Sequence, residues 1–544
     1  MAAASPVPGR RRERHDVVVV GGGHNGLVAA NYLVDAGRDV LVVEARDTLG
    51  GMCSSGTPME AAPGHVVNYG AGDLAFWNAS PVERELELTR YGLRTLPADP
   101  LYAYLDPDDA SLVLWRDPVK TAEEIRRFSP TDATAYLDYA NMLDKLFDLA
   151  MPFMLGNLAR PDRRTLAALA KGSLRHRRTL AEFGTFMISS GEEVIDARFS
   201  HPMTQSLLYT LVAGGQPIDD VGSSSAHLLL GFLHKFGASR PVGGMQAIPD
   251  ALENRLRAKG GTIRTGASVT EVIIERGAAA GVALADGTVI EADTVILTVD
   301  PKTGLGQLLP AGTLSPTLES RVRNIPANVG GWGQMKVDLA LSGPLRLDRY
   351  HARRTDDLDL RLPATLIGSP EGIKRAYNQC RVGNIPATDD LVVWTIVNNA
   401  VDPAQAPAKG DSLYIFVPTM PADPPQGWKE TKGPAADAVI NQLGSRFDGI
   451  ADQVLDRWVA SPQDIAERWG ATNGNVFHVD MVLTRTGPLR PAIGLGGIQL
   501  PLPGLFLGGA GAHPGGGVTG LPGRLVAREV LRGEPRRIRR RRAS

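Results

Sequence analysis

Three glycines and one carboxylate near the N-terminus carry the first chemistry legible in this chain. Gly21, Gly23 and Gly26 fit the spacing G-x-G-x-x-G, and Glu44 lies eighteen residues past the last of them. Each glycine has its own use. Gly21 permits a tight turn, Gly23 lets a pyrophosphate approach a backbone that has no Cβ, and Gly26 allows a helix to pack close to a strand. A helix starting here offers unpaired N–H groups and a positive dipole end to phosphates. Glu44 stands near the roughly 20-residue distance at which an acid meets ribose hydroxyls. A carboxylate there repels a 2′-phosphate, so the expected ligand is a dinucleotide with a free ribose. The alternative is a glycine-rich turn in some other α/β unit.

A strand, a helix and a second strand must hold these residues. Residues 17–20 form a continuous apolar run, 27–36 have a helical pattern stopped by Gly37, and 40–43 form a second apolar run ending at Glu44. This is the grammar of one βαβ unit.

Past Glu44 the sequence continues with Ala45-Arg46 and then Leu49-Gly50-Gly51. Here, and in GGGHNGLVAA at 21–30, which includes His24 and Asn25, the chain resembles the phytoene-desaturase-like branch of the FAD-dependent amine oxidase superfamily. The resemblance implies that the cofactor is FAD, with Arg46, Gly50 and Gly51 placed against its diphosphate and flavin. Simple NAD-binding units lack the trailing arginine and glycine pair. Near the other end, Gly474-Asn475-Val476-Phe477-His478 resembles the G-N-x-F-H element of the same branch. The run 504–520, with Gly509, Gly511, His513, Gly517 and Val518, reads as a strand, a glycine-rich turn and a helix from about Thr519. Such a turn aims backbone N–H groups and a helix dipole at an electron-rich group. In the family that group is the flavin N1–C2=O edge, facing residues like Gly517 and Val518. Ala510-Gly511 stand where many amine oxidases carry an acid, a departure that matches the His-Pro-Gly-Gly-Gly branch. In the superfamily Val269 falls on a strand that pairs with the adenine; read alone, it is a core valine.

Length and composition set bounds. At 544 residues the chain calls for two or more domains. The formal net charge of −1 argues against bulk nucleic-acid binding. Two cysteines, Cys53 and Cys380, offer no C-x-x-C pair and no thiol zinc site, and suit a reducing cytosol. No H-x-x-x-H or G-x-S-x-G occurs, so no metal site and no serine nucleophile is expected. Residues 1–15 show no secretory apolar region, and no run is long enough to span a membrane. The expected location is cytoplasmic. The arginine run 536–542 is either a solvated end or a weak attraction to anionic lipid.

The expected fold class is α/β, with a discontinuous Rossmann-like FAD-binding domain and a mixed sheet-plus-helices substrate domain. The boundaries read as a disordered arm at 1–14; FAD domain at 15–75, 240–305 and 474–532; substrate or cap domain at 76–239 and 306–473; basic tail at 533–544. Within these, 81–93 reads as one helix, 101–105 and 111–115 as a hairpin, and 118–239 as mainly helical. Strands are expected at 334–341, 391–398 and 412–418, and a helix at 435–447.

With FAD as electron acceptor, the protein must orient a substrate, move a proton and exclude water. Two residues are candidates for catalysis. The order of segments places Lys336 like the lysine that holds a water at flavin N5 in amine oxidases; otherwise it faces solvent or pairs with Asp338. His513 reads as a proton donor to substrate or as a cap on its own turn. His478 reads as packing for the flavin loop. The expected reaction is dehydrogenation of an apolar or secondary-metabolite-type small molecule, with hydride passing to flavin N5. The alternatives are an amine or small-metabolite oxidase using O₂, an isomerase using reduced FAD, and a non-enzymatic flavin-stabilised binding protein. Apolar residues in 145–156 and 226–236 either line a substrate tunnel or form ordinary core. Oligomeric state is open.

Overall fold

The structure, a computed structural model, describes residues 12–533. β1 spans Arg12–Val20, longer than its apolar run, because Arg12 to His15 pair with Val289 to Ala292. Residues 12–14 therefore belong to a sheet and not to an arm. The rest of the expected arm, and the tail beyond Gly533, lie outside the described residues.

α1 spans His24–Asp35 and β2 spans Val40–Val43. The helix begins three residues before its hydrophobic pattern does. Gly23 caps it in an extended conformation, so His24, Asn25 and Gly26 form a first turn with N–H groups that no earlier carbonyl can accept. A Cβ on Gly26 would sit 2.1 Å from the Gly21 carbonyl oxygen, so only glycine allows the helix to leave the strand this closely.

β1, β2, Thr262–Arg264, Val289–Leu297 and Leu505–Leu507 run parallel in one sheet. Val269–Glu275 and Ala278–Leu284 extend it as an antiparallel ribbon. Its strands come from the start, middle and end of the chain. Apolar side chains alternate to both faces. Val17 and Val19 share one core with Leu27 of α1 and Leu525 of the last helix, whereas Val18 and Val20 share another with Leu305 and Leu505.

The last helix, Leu521–Gly533, packs along α1. Arg524 clamps Glu85 through Nε and Nη2, both at 2.7 Å, and the Tyr32 hydroxyl donates to the same carboxylate. These donors, led by Arg524, hold the Glu85 pKa down to about 2. A carboxylate with a depressed folded pKa adds stability above its unfolded value, near 4.5, and loses it as pH falls toward 2. Because the group is partly solvated, Glu85→Gln should cost only about 1 kcal/mol at neutral pH. Urea titrations of both proteins should show that gap closing between about pH 4.5 and pH 2.

A second sheet has the order Val454–Ala460, Trp332–Leu341, Asp411–Pro421, Val393–Val397, Ala364–Ile367, Tyr102–Leu105, Ser111–Leu114. Its far face packs on Trp428–Gly444, a helix that begins seven residues earlier than expected and carries Pro434 in its interior. The expected helix over 81–93 is instead Val82–Glu85 followed by a 3₁₀ turn at Leu88–Tyr91. Glu87, with φ of 49°, reverses the backbone between them. Helices dominate 118–236, and the longest, Pro130–Leu155, lies against Leu228–Phe236.

Candidate active site

A cavity of about 1400 Å³ lies between the two sheets. Pockets for drug-sized ligands usually hold about 300–1,000 Å³. This one has room for a dinucleotide and a second molecule.

One end is built from the turn after β1. Gly21, Gly23, His24, Asn25, Gly26, Glu44, Arg46, Gly50, Gly51 and Val269 all line it. A Cβ on Gly23 would point into open space, with only the Gly50 carbonyl oxygen near, at 3.9 Å. Arg46 Nη1 is buried with no hydrogen-bond partner in the protein. The free first turn of α1, the bare backbone at Gly23 and that unpartnered guanidinium nitrogen suit a diphosphate. The residues present therefore fit FAD. Glu44 also shapes the loop: its oxygens accept the N–H groups of Gly22 at 2.7 Å and Arg46 at 3.0 Å.

The C-terminal turn closes the cradle. Gly517 and Val518 line the cavity, and so does the His24 ring. Burial lowers the His24 pKa to about 4, so the ring is neutral. Gly509 and Gly511 are placed differently from the expectation. Neither lines the cavity; a Cβ would lie 2.3 Å from Thr298 O at Gly509 and 2.5 Å from Pro301 at Gly511. They are glycines so that the turn can lie flat on the end of Val289–Leu297, and Ala510 faces the cavity between them.

His513 also lines the cavity. Its Nε2 lies 2.7 Å from Phe153 O and 3.1 Å from Gly156 O, so Nε2 carries the proton and donates it to the end of the long helix. Burial lowers its pKa. Nδ1 is left without a partner. His478, with φ of 63°, lines the cavity nearby, and its Nδ1 is likewise unpartnered.

Sequence reading missed the residue that joins these pieces. Arg490 is 1% exposed. Its Nη2 donates to the carbonyls of Phe477, Val479 and Ala510, and its Nη1 to those of Asp480 and Arg485. It thus ties the G-N-x-F-H element to the glycine-rich turn. The dipeptide Arg490-Pro491 carries no local signal of that role.

The second sheet roofs the other end. Alternation along its strands turns Gln334, Lys336, Tyr414, Phe416, Trp394 and Ile396 to one face, and all six line the cavity. Lys336 Nζ donates to Asp338 Oδ1 at 3.0 Å and sits over the Tyr414 ring. Burial pushes the lysine down and the aspartate up, each toward its neutral form, against their mutual attraction. At the sheet's edge the Tyr102 hydroxyl donates to Asp73, and both line the cavity. Cys53 lines the nucleotide side with its thiol pushed up to about 12 by burial, so it is not a thiolate nucleophile at neutral pH.

Helices form the remaining wall. Phe153, Met154, Leu228, Leu229 and Phe232 face the cavity, whereas Leu146, Phe147, Leu230 and Leu233 are buried core. The two readings of these segments each describe part of them. Phe76 joins the wall to the C-terminal glycine-rich turn, lying under Gly517 and 5.2 Å from the Phe232 ring centroid. No group of His, Cys, Asp and Glu able to hold a metal occurs among the described residues.

Residues 26–342 match the family described as flavin containing amine oxidoreductase. The chain is 28% identical to pyridine nucleotide-disulfide oxidoreductase domain-containing protein 2 of Mus musculus, over 97% of this chain and 95% of that protein. It is 25% identical to a neurosporene-forming phytoene desaturase of Cereibacter sphaeroides, over 96% and 95% respectively. Its fold is similar to that of putrescine oxidase, solved with putrescine bound, at a TM-score of 0.60 and 17% identity over 96% and 99%. With the family match covering more than half the chain and the cradle formed as that cofactor needs, the chain belongs to the flavin containing amine oxidoreductase family and is an FAD-dependent oxidoreductase.

Proposed function

We propose that this enzyme dehydrogenates an apolar small molecule. The observation that carries this is the wall opposite the nucleotide cradle, built from Phe76, Phe153, Met154, Leu229 and Phe232 and continuous with the flavin-edge turn. The relative named as a phytoene desaturase supports the same reading. When bound, FAD supplies the two-electron acceptor for a hydride leaving a C–H bond. The chain's own residues do the rest. The α1 turn and Arg46 hold the diphosphate, Glu44 the ribose, and Gly517 and Val518 the flavin edge. The aromatic and aliphatic wall orients the substrate and excludes water. Burial lowers the Lys336 pKa to about 8, and in its neutral form Nζ, hydrogen-bonded to Asp338, takes the proton the substrate loses.

Mass spectrometry of the small molecules released on denaturing the purified protein tests the reading. FAD with an apolar compound is the expected result; FAD with a polar amine would overturn it. Lys336 also supports a second reading, in which O₂ is the electron acceptor. On that reading Lys336→Met should keep its flavin but consume O₂ at least about tenfold more slowly. An unchanged oxygen-electrode trace would remove Lys336 from the O₂ role, and an unchanged rate of flavin reduction by substrate would remove it from the proton-transfer role.

A further inference from the structure

We propose that the helical segment 163–188 docks on an anionic lipid bilayer, beside the wall of the substrate cavity. The helix Arg163–Arg175 has 13 residues and buries none of them. Thr165, Leu169 and Gly172 are half-buried, and the helix packs on the long helix. Leu166 and Leu174, on one face with Ala170 between them, are 52% and 75% exposed. At the two ends of the next helix, Leu180–Ile188, Leu180 and Ile188 are also exposed. A surface helix normally turns its leucines inward.

The charge along this face is predominantly positive, with Glu182 the one exposed acid on the second helix. Between 160 and 178 stand seven arginines and lysines and one acid, Asp162. That acid is engaged as the helix cap, accepting the Thr165 N–H. Arg160 pairs with Glu529, and the other six basic residues have no ion pair among the described residues. Exposed leucines flanked by uncompensated cations fit the headgroup boundary of an anionic bilayer, where the leucines enter the acyl layer and the cations meet phosphates. A second copy of this chain fits poorly, because a two-fold contact would set the same positive face against itself. No helix among the described residues is long and apolar enough to cross a membrane, and a surface-lying segment needs none.

The position of this surface gives it a use. Leu180–Ile188 turns Phe183 and Met187 into the cavity and Leu180 and Ile188 outward. One helix thus separates the docked surface from the substrate wall, so a compound dissolved in lipid has a short path in. This use rests on the apolar-substrate reading above; the docking itself does not.

The test is sedimentation of the full-length, FAD-loaded protein with vesicles at low salt. Vesicles of equal parts phosphatidylcholine and phosphatidylglycerol should carry the protein down, and vesicles of phosphatidylcholine alone should not. The double substitution Leu166→Glu and Leu174→Glu should cut the bound share about tenfold while flavin content and thermal midpoint stay unchanged. The triple substitution Arg164→Gln, Lys171→Gln and Arg175→Gln, which keeps the leucines, should weaken binding and flatten its dependence on salt. No binding of the unmodified protein to the mixed vesicles would overturn the proposal. So would undiminished binding of both variants, which would move the attraction to the arginine run at 536–542. A dimer that the leucine variant dissociates, with no vesicle binding, would overturn it in favour of a second copy. A protein that docks on vesicles yet oxidises only a small polar amine would overturn the proposed function and leave this inference standing.

Discussion

Gly23→Val should purify without FAD. The Cβ of residue 23 points into the cavity with nothing closer than 3.9 Å, so the protein itself has room for a side chain there. The folded chain should tolerate the change, and only the ligand should not. Two extra methyl carbons would stand where the diphosphate meets the N–H groups of the α1 turn. Gly26→Val makes the informative contrast. Its Cβ collides with the Gly21 carbonyl oxygen at 2.1 Å, so that variant should lose the fold as well as the cofactor. Absorbance near the flavin maxima, read beside circular dichroism, separates the two cases. A Gly23→Val protein with a normal flavin spectrum would put the diphosphate elsewhere.

Arg490→Met should destabilise the protein strongly without abolishing its fold. The guanidinium is fully enclosed, and five backbone carbonyls, not a carboxylate, surround it. Removing the cation recovers the cost of burying a charge. It also takes the donor from five backbone carbonyls, one buried and four part-buried, and each acceptor left unpaired away from water costs about 1–3 kcal/mol. The second effect wins, because one guanidinium joins five carbonyls from separate turns and no methionine can replace it. The expected loss is roughly 3–5 kcal/mol, read from urea unfolding. Arg490→Lys keeps the charge but has three donors at one point, so it cannot hold Ala510 and Asp480 together and should fall between the two. FAD should also leave Arg490→Met more readily, since the tie between the G-N-x-F-H element and the flavin-edge turn is gone.

The parts of this molecule legible in its sequence are those where the requirement is local. A run of valines entering spaced glycines allows few structures other than β1 and α1, and Glu44 follows from the same geometry. The start of α1 at His24 was less legible, because its first turn is held by the Gly23 cap and carries no hydrophobic period. The second sheet was read only in part. Trp332–Leu341 and Asp411–Pro421 are long and apolar, but Ala364–Ile367 has four residues and Val454–Ala460 is interrupted by Asp456 and Arg457. Their strand character comes from neighbours far away in the chain. The same holds for Thr95–Ala98, which pairs with Ala238–Pro241. Gly509 and Gly511 show the opposite error. A glycine in a cofactor motif invites a cofactor contact, yet these two exist to clear Thr298 and Pro301. Arg490 could not be found by pattern at all, because its five partners are carbonyls and carbonyls have no residue type.

The scattered origin of the nucleotide sheet has a consequence for biosynthesis. β1 pairs with Val289–Leu297, and that strand pairs in turn with Leu505–Leu507. At roughly 5–20 residues per second, a ribosome leaves the valines of β1 waiting for tens of seconds before the last parallel strand and the final helix emerge. The turn at Gly517 and Val518 that completes the cradle is thus among the last parts of the chain to be made. Until then β1 and β2 form a sticky, half-made sheet, and a message cut short before residue 505 would yield a protein that chaperones can hold but FAD cannot rescue.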